Sequence, residues 1–170
     1  LLPLYSNAQI TTIGTTYTTG SSSSGSSSAG MGITFSIQNT NSSDVILRGV
    51  DYQMSSGTQS WELWYSSTSL IGNPGAISVA RGWTQVAAPT PITVTTAGRH
   101  PVISGINFII PGNTTYRFAL VTSHSNIAYY GNTSVPNTFS AIGVNLLVGN
   151  YGSNVGYAGQ WQSTSWAFNL

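Results

Sequence analysis

The 170-residue chain has no cysteine and no lysine, and its only formal charges are four arginines and three carboxylates. Without cysteine there are no disulfides and no thiolate metal site. Charged residues make up 4 % of the chain, against roughly a quarter in an ordinary soluble domain. Solubility therefore rests on Ser, Thr, Asn, Gln and Gly. Four scattered arginines, Arg48, Arg81, Arg99 and Arg117, cannot neutralise a run of phosphates, which excludes nucleic acid as a partner. Polybasic attachment to anionic lipid fails for the same reason. No apolar run approaches the roughly 20 residues of a membrane-spanning helix, so no membrane insertion is expected. Apolar spacing of three and four residues is also missing, and no helix is expected.

What is present is alternation. Met31, Ile33, Phe35 and Ile37 alternate with small or polar residues, as do Trp61, Leu63 and Tyr65. Val45 and Leu47 lead to Gly49, after which Val50, Tyr52 and Met54 resume one residue out of phase. A glycine at a phase slip marks a β-bulge. Ile106, Phe108 and Ile110 stand before Pro111-Gly112-Asn113, and Tyr116, Phe118 and Leu120 after it. That pattern predicts a hairpin with one buried face and Arg117 and Ala119 on the other. Further strands are expected at 9–19, 83–86, 92–96, 127–130, 142–148 and from Trp166 onward. The chain is thus expected to be all-β, an antiparallel sandwich or jelly-roll-like fold of about nine or ten strands. It is long enough for one domain with a real core. We divide it into an N-terminal arm, 1–13, and a sandwich, 14–170, with a flexible Ser/Gly loop at 20–30. Residues 1–8, LLPLYSNA, fit either the tail of a secretory signal or a retained first strand.

The strand and turn signatures RGVDYQM (Arg48 to Met54), WELWYSSTSLIG (Trp61 to Gly72) and Gly82-Trp83-Thr84 stand with INFIIPGNTTYRFAL, IAYYGNT and SWAFNL. Together they resemble the secreted surface β-sandwich modules of flavobacterium-type (Bacteroidota) bacteria. The resemblance implies an extracellular or cell-surface location and an adhesive, spacer or assembly role. It implies no catalytic residue, and in such modules the final strand continues past the position of Leu170.

Candidate chemistry is sparse. Asp51 and Glu62 fall on strands joined by one turn and are the only pair to weigh for glycoside hydrolysis, which needs two carboxyls about 5–10 Å apart. Arg48 lies near in sequence, and a surface charge cluster is the commoner outcome. His100 and His124 lack a third metal ligand. No nucleophile elbow occurs. We expect no enzyme, no cofactor and no metal. Trp64, Tyr130 and Trp161 form a candidate carbohydrate platform, so surface polysaccharide is one expected partner. Sequons at Asn41, Asn113 and Asn132 number about what chance supplies in so Ser/Thr-rich a chain.

The leading expectation is self-association. Sheet edges in monomers are usually guarded by lysine, charge, proline or bulges, and two of these are scarce here. An apolar arm with Leu1, Leu2, Leu4, Tyr5, Ile10 and Ile13, and a last strand with Trp166, Phe168 and Leu170, supply the ingredients for strand exchange between copies. Deletion of residues 1–8 is expected to abolish polymers and leave a folded domain. Negative-stain imaging checks this, and undiminished assembly of the truncated chain removes the arm from the argument.

Overall fold

The computed structural model describes residues 10–14, 22–26, 31–68, 74–123, 126–130, 138–148, 154–157 and 160–163. Fourteen strands are described: β1 (Ser22–Ser26), β2 (Met31–Asn39), β3 (Val45–Leu47), β4 (Val50–Met54), β5 (Gly57–Ser66), β6 (Thr84–Val94), β7 (Gly98–Ile103), β8 (Phe108–Ile110), β9 (Thr114–Thr122), β10 (Asn126–Tyr130), β11 (Thr138–Ala141), β12 (Val144–Leu147), β13 (Asn154–Tyr157) and β14 (Gln160–Ser163). The only helical element among the described residues is a 3-10 turn at Val79–Arg81. The protein is all-β and its strand pairs are antiparallel. The segments exceed nine or ten because several run only three to five residues, as where β3 and β4 are pieces of one expected strand.

The larger layer is an eight-stranded sheet in the order β11-β12-β2-β9-β5-β6, with β13 on β2 and β14 on β13. Its inner face follows directly from the alternation. Ile33 lies opposite Leu120 and Leu120 opposite Leu63, while Phe35 faces Phe118 and Phe118 faces Tyr65. The second layer is a ribbon in which β4 pairs with β7 and β3 with β8. Tyr52 of β4 stacks near Trp61 of β5 at 5.3 Å, and Phe108 of β8 meets Tyr65 at 4.6 Å and Phe118 at 5.6 Å. These rings join the two layers into one core, with Met54, Val102, Ile103 and Ile110 from the ribbon. The expected bulge at Gly49 is corrected: Arg48 and Gly49 separate β3, paired with β8, from β4, paired with β7, and a Cβ on Gly49 would lie 2.6 Å from the Ile103 carbonyl oxygen. The ribbon's register shifts instead at Val50–Asp51, where β7 carries the extra residue, Val102.

The Pro111-Gly112-Asn113 hairpin is corrected. β8 and β9 do not pair with each other. β8 joins β3 in the ribbon, whereas β9 lies between β2 and β5 in the large sheet. The turn therefore carries the chain from one layer to the other. Asn39, fully buried at the end of β2, explains why. Its Nδ2 donates to the carbonyls of Ser43 (2.9 Å), Ile110 (3.1 Å) and Pro111 (3.1 Å). Its Oδ1 accepts from the backbone N–H and the Nδ2 of Asn41, both at 3.0 Å. The Asn113 N–H donates to the Asn41 carbonyl at 2.9 Å, and a Cβ on Gly112 would stand 2.4 Å from the Ser42 carbonyl oxygen. The 40–44 loop thus takes up the turn's polar groups in place of a facing strand.

Other expectations change as well. Within the stretch expected to be a flexible Ser/Gly loop, Ser22–Ser26 is a strand paired with β10. Residues 10–14 are not in a strand. The expected strands at 83–86 and 92–96 are one strand, β6. A strand does not begin at Ile142: Ile142 (φ 49°) and Gly143 (φ 72°) are the turn between β11 and β12. Two positive φ angles suit the right-handed twist of a tight hairpin, normally filled by Asn-Gly. Here the turn is held from outside, by Thr40, whose N–H and Oγ1 both donate to the Gly143 carbonyl, and by Asn41 Nδ2 donating to the Ile142 carbonyl.

Two substitutions test this corner. Asn39→Ala leaves several buried polar groups without partners and is expected to cost about 2–4 kcal/mol. Ile142→Asn relieves a β-branched residue from the left-handed region and is expected to stabilise by about 1 kcal/mol. Urea unfolding of the two variants should shift in opposite directions.

Candidate functional site

A groove of about 330 Å³ opens at one rim of the sandwich, lined by Tyr65, Thr84, Gln85, Val86, Ile106, Asn107 and Phe108. This falls at the lower end of the ~300–1,000 Å³ range of small-molecule sites. The end of β5 and the start of β6 form one wall. The passage from β7 into β8 forms the other. It faces the first only because the 111–113 turn sends Phe108 into the second layer. Tyr65, Phe108 and Tyr116 make a half-buried aromatic cluster, with Tyr65–Tyr116 at 5.4 Å and Phe108–Tyr116 at 6.0 Å. Gln85 and Asn107 are exposed on opposite walls.

Two of the few charged residues attach to these amides. Gln85 Nε2 donates to Glu62 Oε2 at 2.8 Å, and Arg48 Nη1 donates to Asn107 Oδ1. Gln85, paired with Trp64 and bonded to Glu62, turns its amide to the outer face of the large sheet, and Asn107, alternating with Phe108, turns its amide outward with Arg48. The groove itself has an aromatic floor with Thr84 beside it, which suits an uncharged, polyhydroxylated ligand whose ring C–H groups lie on the aromatics.

The candidate carbohydrate platform does not assemble as one surface. Trp64 lies on β5, on the face away from the core, and is half-buried. Its indole N–H is buried, without a hydrogen-bond partner among the described residues. Trp161 is on β14, four strand steps away through β13, β2 and β9, roughly 19 Å at ~4.8 Å per step. Tyr130 ends β10, which pairs only with β1 among the described strands. The carboxylates also part company. Asp51 points outward from β4 and Glu62 outward from β5, in different layers. Their strands do not pair with each other. Among the described residues no group of three or more His, Asp or Glu side chains could hold a metal. His100 Nε2 bonds the Thr96 carbonyl at 2.9 Å, and His124 lies outside the described residues.

Of the arm, Ile10 is 88 % exposed and Ile13 packs against the core. Leu1, Leu2, Leu4 and Tyr5 lie outside the described residues, as do Trp166, Phe168, Leu170 and Asn132. The outermost strand β6 carries Pro89 and Pro91, both exposed. Proline in a paired strand sits on its unbonded side, so this edge lacks donors at two positions and is better guarded than the absence of lysine suggests. Both side-chain N–H groups of Asn41 are donated, to Asn39 Oδ1 and to the Ile142 carbonyl. Asn113 is exposed at its turn. No helix among the described residues is long and apolar enough to cross a membrane. No family model matches the chain, and no curated protein matches it.

Arg117 is the one expected surface charge that is buried. It is 1 % exposed, beside Thr34 and Ala119, both fully buried on the face away from the core. The sheet centre is therefore covered on both faces. Arg117 Nη2 donates to Thr34 Oγ1 at 3.1 Å. Burial pushes its pKa below the ordinary guanidinium range, to about 10. Below pH 10 the folded and unfolded chains both hold this proton, and the burial cost is constant. Above it the folded chain releases a proton that the unfolded chain keeps, so stability contributed at this site rises with pH until the unfolded chain's guanidinium titrates as well. Relative to Arg117→Met, wild-type stability should be level from pH 7 to 9 and gain ~1 kcal/mol by pH 11. Paired urea titrations at pH 8 and 11 measure that difference.

Proposed function

We propose that this chain is a non-catalytic extracellular β-sandwich module that binds neutral carbohydrate in the groove between β5–β6 and the β7–β8 passage. The observation that carries the reading is the groove's composition: half-buried Tyr65 and Phe108, with exposed Thr84 paired across from Tyr65 at the rim. Sugars are bound by this combination because their two faces differ, one presenting C–H groups and the edge presenting hydroxyls. The scarcity of charge agrees with a neutral ligand. The expected secretion and the resemblance to surface modules agree with it too.

Self-association is the second reading. Ile46 of β3 and Ile109 of β8 are directly paired and 47 % and 53 % exposed, so the ribbon turns adjacent large apolar side chains toward solvent. Adjacent exposed isoleucines are where a second copy would gain most from burial. Sedimentation of the full chain as a monomer at high concentration ends this reading.

For the carbohydrate reading, affinity electrophoresis through gels containing neutral polysaccharides (a β-glucan, a galactomannan and a xylan) is expected to retard the wild type. A Tyr65→Leu, Thr84→Val double variant, which keeps the lining apolar but removes a ring and a hydroxyl, should lose at least about tenfold in affinity. Equal migration of both proteins in all three gels overturns the assignment.

A further inference from the structure

We infer that two copies of this chain stack face to face on the β3–β8 ribbon, about a two-fold axis that lies between them and runs along the Ile46–Ile109 pair. The inference rests on the self-association reading and states where and how the copies meet. Ile46 and Ile109 are cross-strand partners, 47 % and 53 % exposed. Ile10, Val79 and Ile142 are also exposed, but they lie outside the strands. Among the described residues, the ribbon is thus where large apolar side chains stand side by side on an open sheet face. Edge pairing is obstructed at β6 by Pro89 and Pro91, which leaves a face as the better contact there.

What flanks the two isoleucines selects a second copy as the occupant. Asp44 is exposed two residues before Ile46, and Arg48 is exposed two residues after it. With a period of two, all three belong to the outer face of the ribbon. Asp44 accepts the Gly112 N–H through Oδ1 and keeps a second oxygen, and Arg48 uses one of its several donors on Asn107. Within one copy the two charges stand roughly 13 Å apart at ~3.3 Å per residue, too far to pair. A second copy turned over about an axis along the isoleucines lays the partner's Arg48 on Asp44 and the partner's Asp44 on Arg48. In the same rotation Ile46 meets Ile46 and Ile109 meets Ile109. Negative, apolar, positive is an order that complements itself under this operation, which is what an isologous contact requires. The apolar centre supplies the burial, and the two charge pairs fix the register.

The test is sedimentation equilibrium of the full chain over a concentration series, with circular dichroism showing that each variant is folded. The wild type is expected to dimerise. Ile46→Lys and Ile46→Glu, both at an exposed position, set like charges against each other across the axis and should each weaken dimerisation at least about tenfold. An equimolar mixture of these two variants should recover the dimer, because a lysine then faces a glutamate. Asp44→Arg and Arg48→Asp should each weaken dimerisation about fivefold or more, and the double variant carrying both should return to within about threefold of wild type. A wild-type dimer indifferent to all four substitutions, or a Lys/Glu mixture that stays monomeric, overturns this geometry and leaves self-association to another surface. A wild type that sediments as a monomer at every concentration removes the self-association reading and this inference together.

Discussion

The buried amide of Asn39 is the contact on which the rest of this architecture turns. It sits where β2 ends and holds three carbonyls from two other stretches of chain, Ser43, Ile110 and Pro111. A buried carbonyl without a partner costs more than an average hydrogen bond contributes, and a chain passing between layers has no neighbouring strand to supply partners. One side chain with two donors and a two-lone-pair oxygen serves instead. Through Asn41 the same network reaches the Ile142-Gly143 turn and holds a β-branched residue in a conformation it would not choose. Three connections at one end of the sandwich are thereby set relative to one another.

The groove at the rim follows from that crossing. If β8 and β9 paired as a hairpin about the 111–113 turn, Phe108 would stand opposite Tyr116 in the same sheet. Instead the crossing places Phe108 above Tyr65 from the opposite layer, at 4.6 Å. The cavity is a product of topology more than of any local motif.

Charge has an unusual distribution of work in a chain with so little of it. Arg48 donates to Asn107 Oδ1 and Glu62 accepts from Gln85 Nε2, Asp44 accepts the Gly112 N–H at 3.2 Å, and Arg117 is enclosed between the sheet and what covers its second face. Each of these four is tied to a polar group of a distant segment. In a protein whose surface is Ser, Thr, Asn and Gln, an ion is a strong and directional partner among many weak ones, since charge-assisted bonds are about twice as strong as neutral ones. Burying Arg117 carries a desolvation cost that lowers its proton affinity, and the Thr34 hydroxyl offsets only part of it.

The alternation of Met31 to Ile37 and of Trp61 to Tyr65 determined, without any coordinates, that the chain is all-β and which side chains form the core. A period of two leaves one face for the interior. Gly49 marked, by its phase slip, the break between β3 and β4. The groove carried no such signal: Tyr65 and Phe108 are ordinary strand aromatics 43 positions apart, and nothing local says they meet at 4.6 Å. Nor did the apolar runs around Pro111-Gly112-Asn113 tell a hairpin from a crossing, since both need the same alternation and the same turn residues. Ile142 continued an alternating pattern and so concealed a turn whose stabilising partners, Thr40 and Asn41, lie a hundred residues away. Only the tertiary structure decided these points, because strand partners, layer changes and converging side chains depend on long-range hydrogen bonds that a local pattern does not encode.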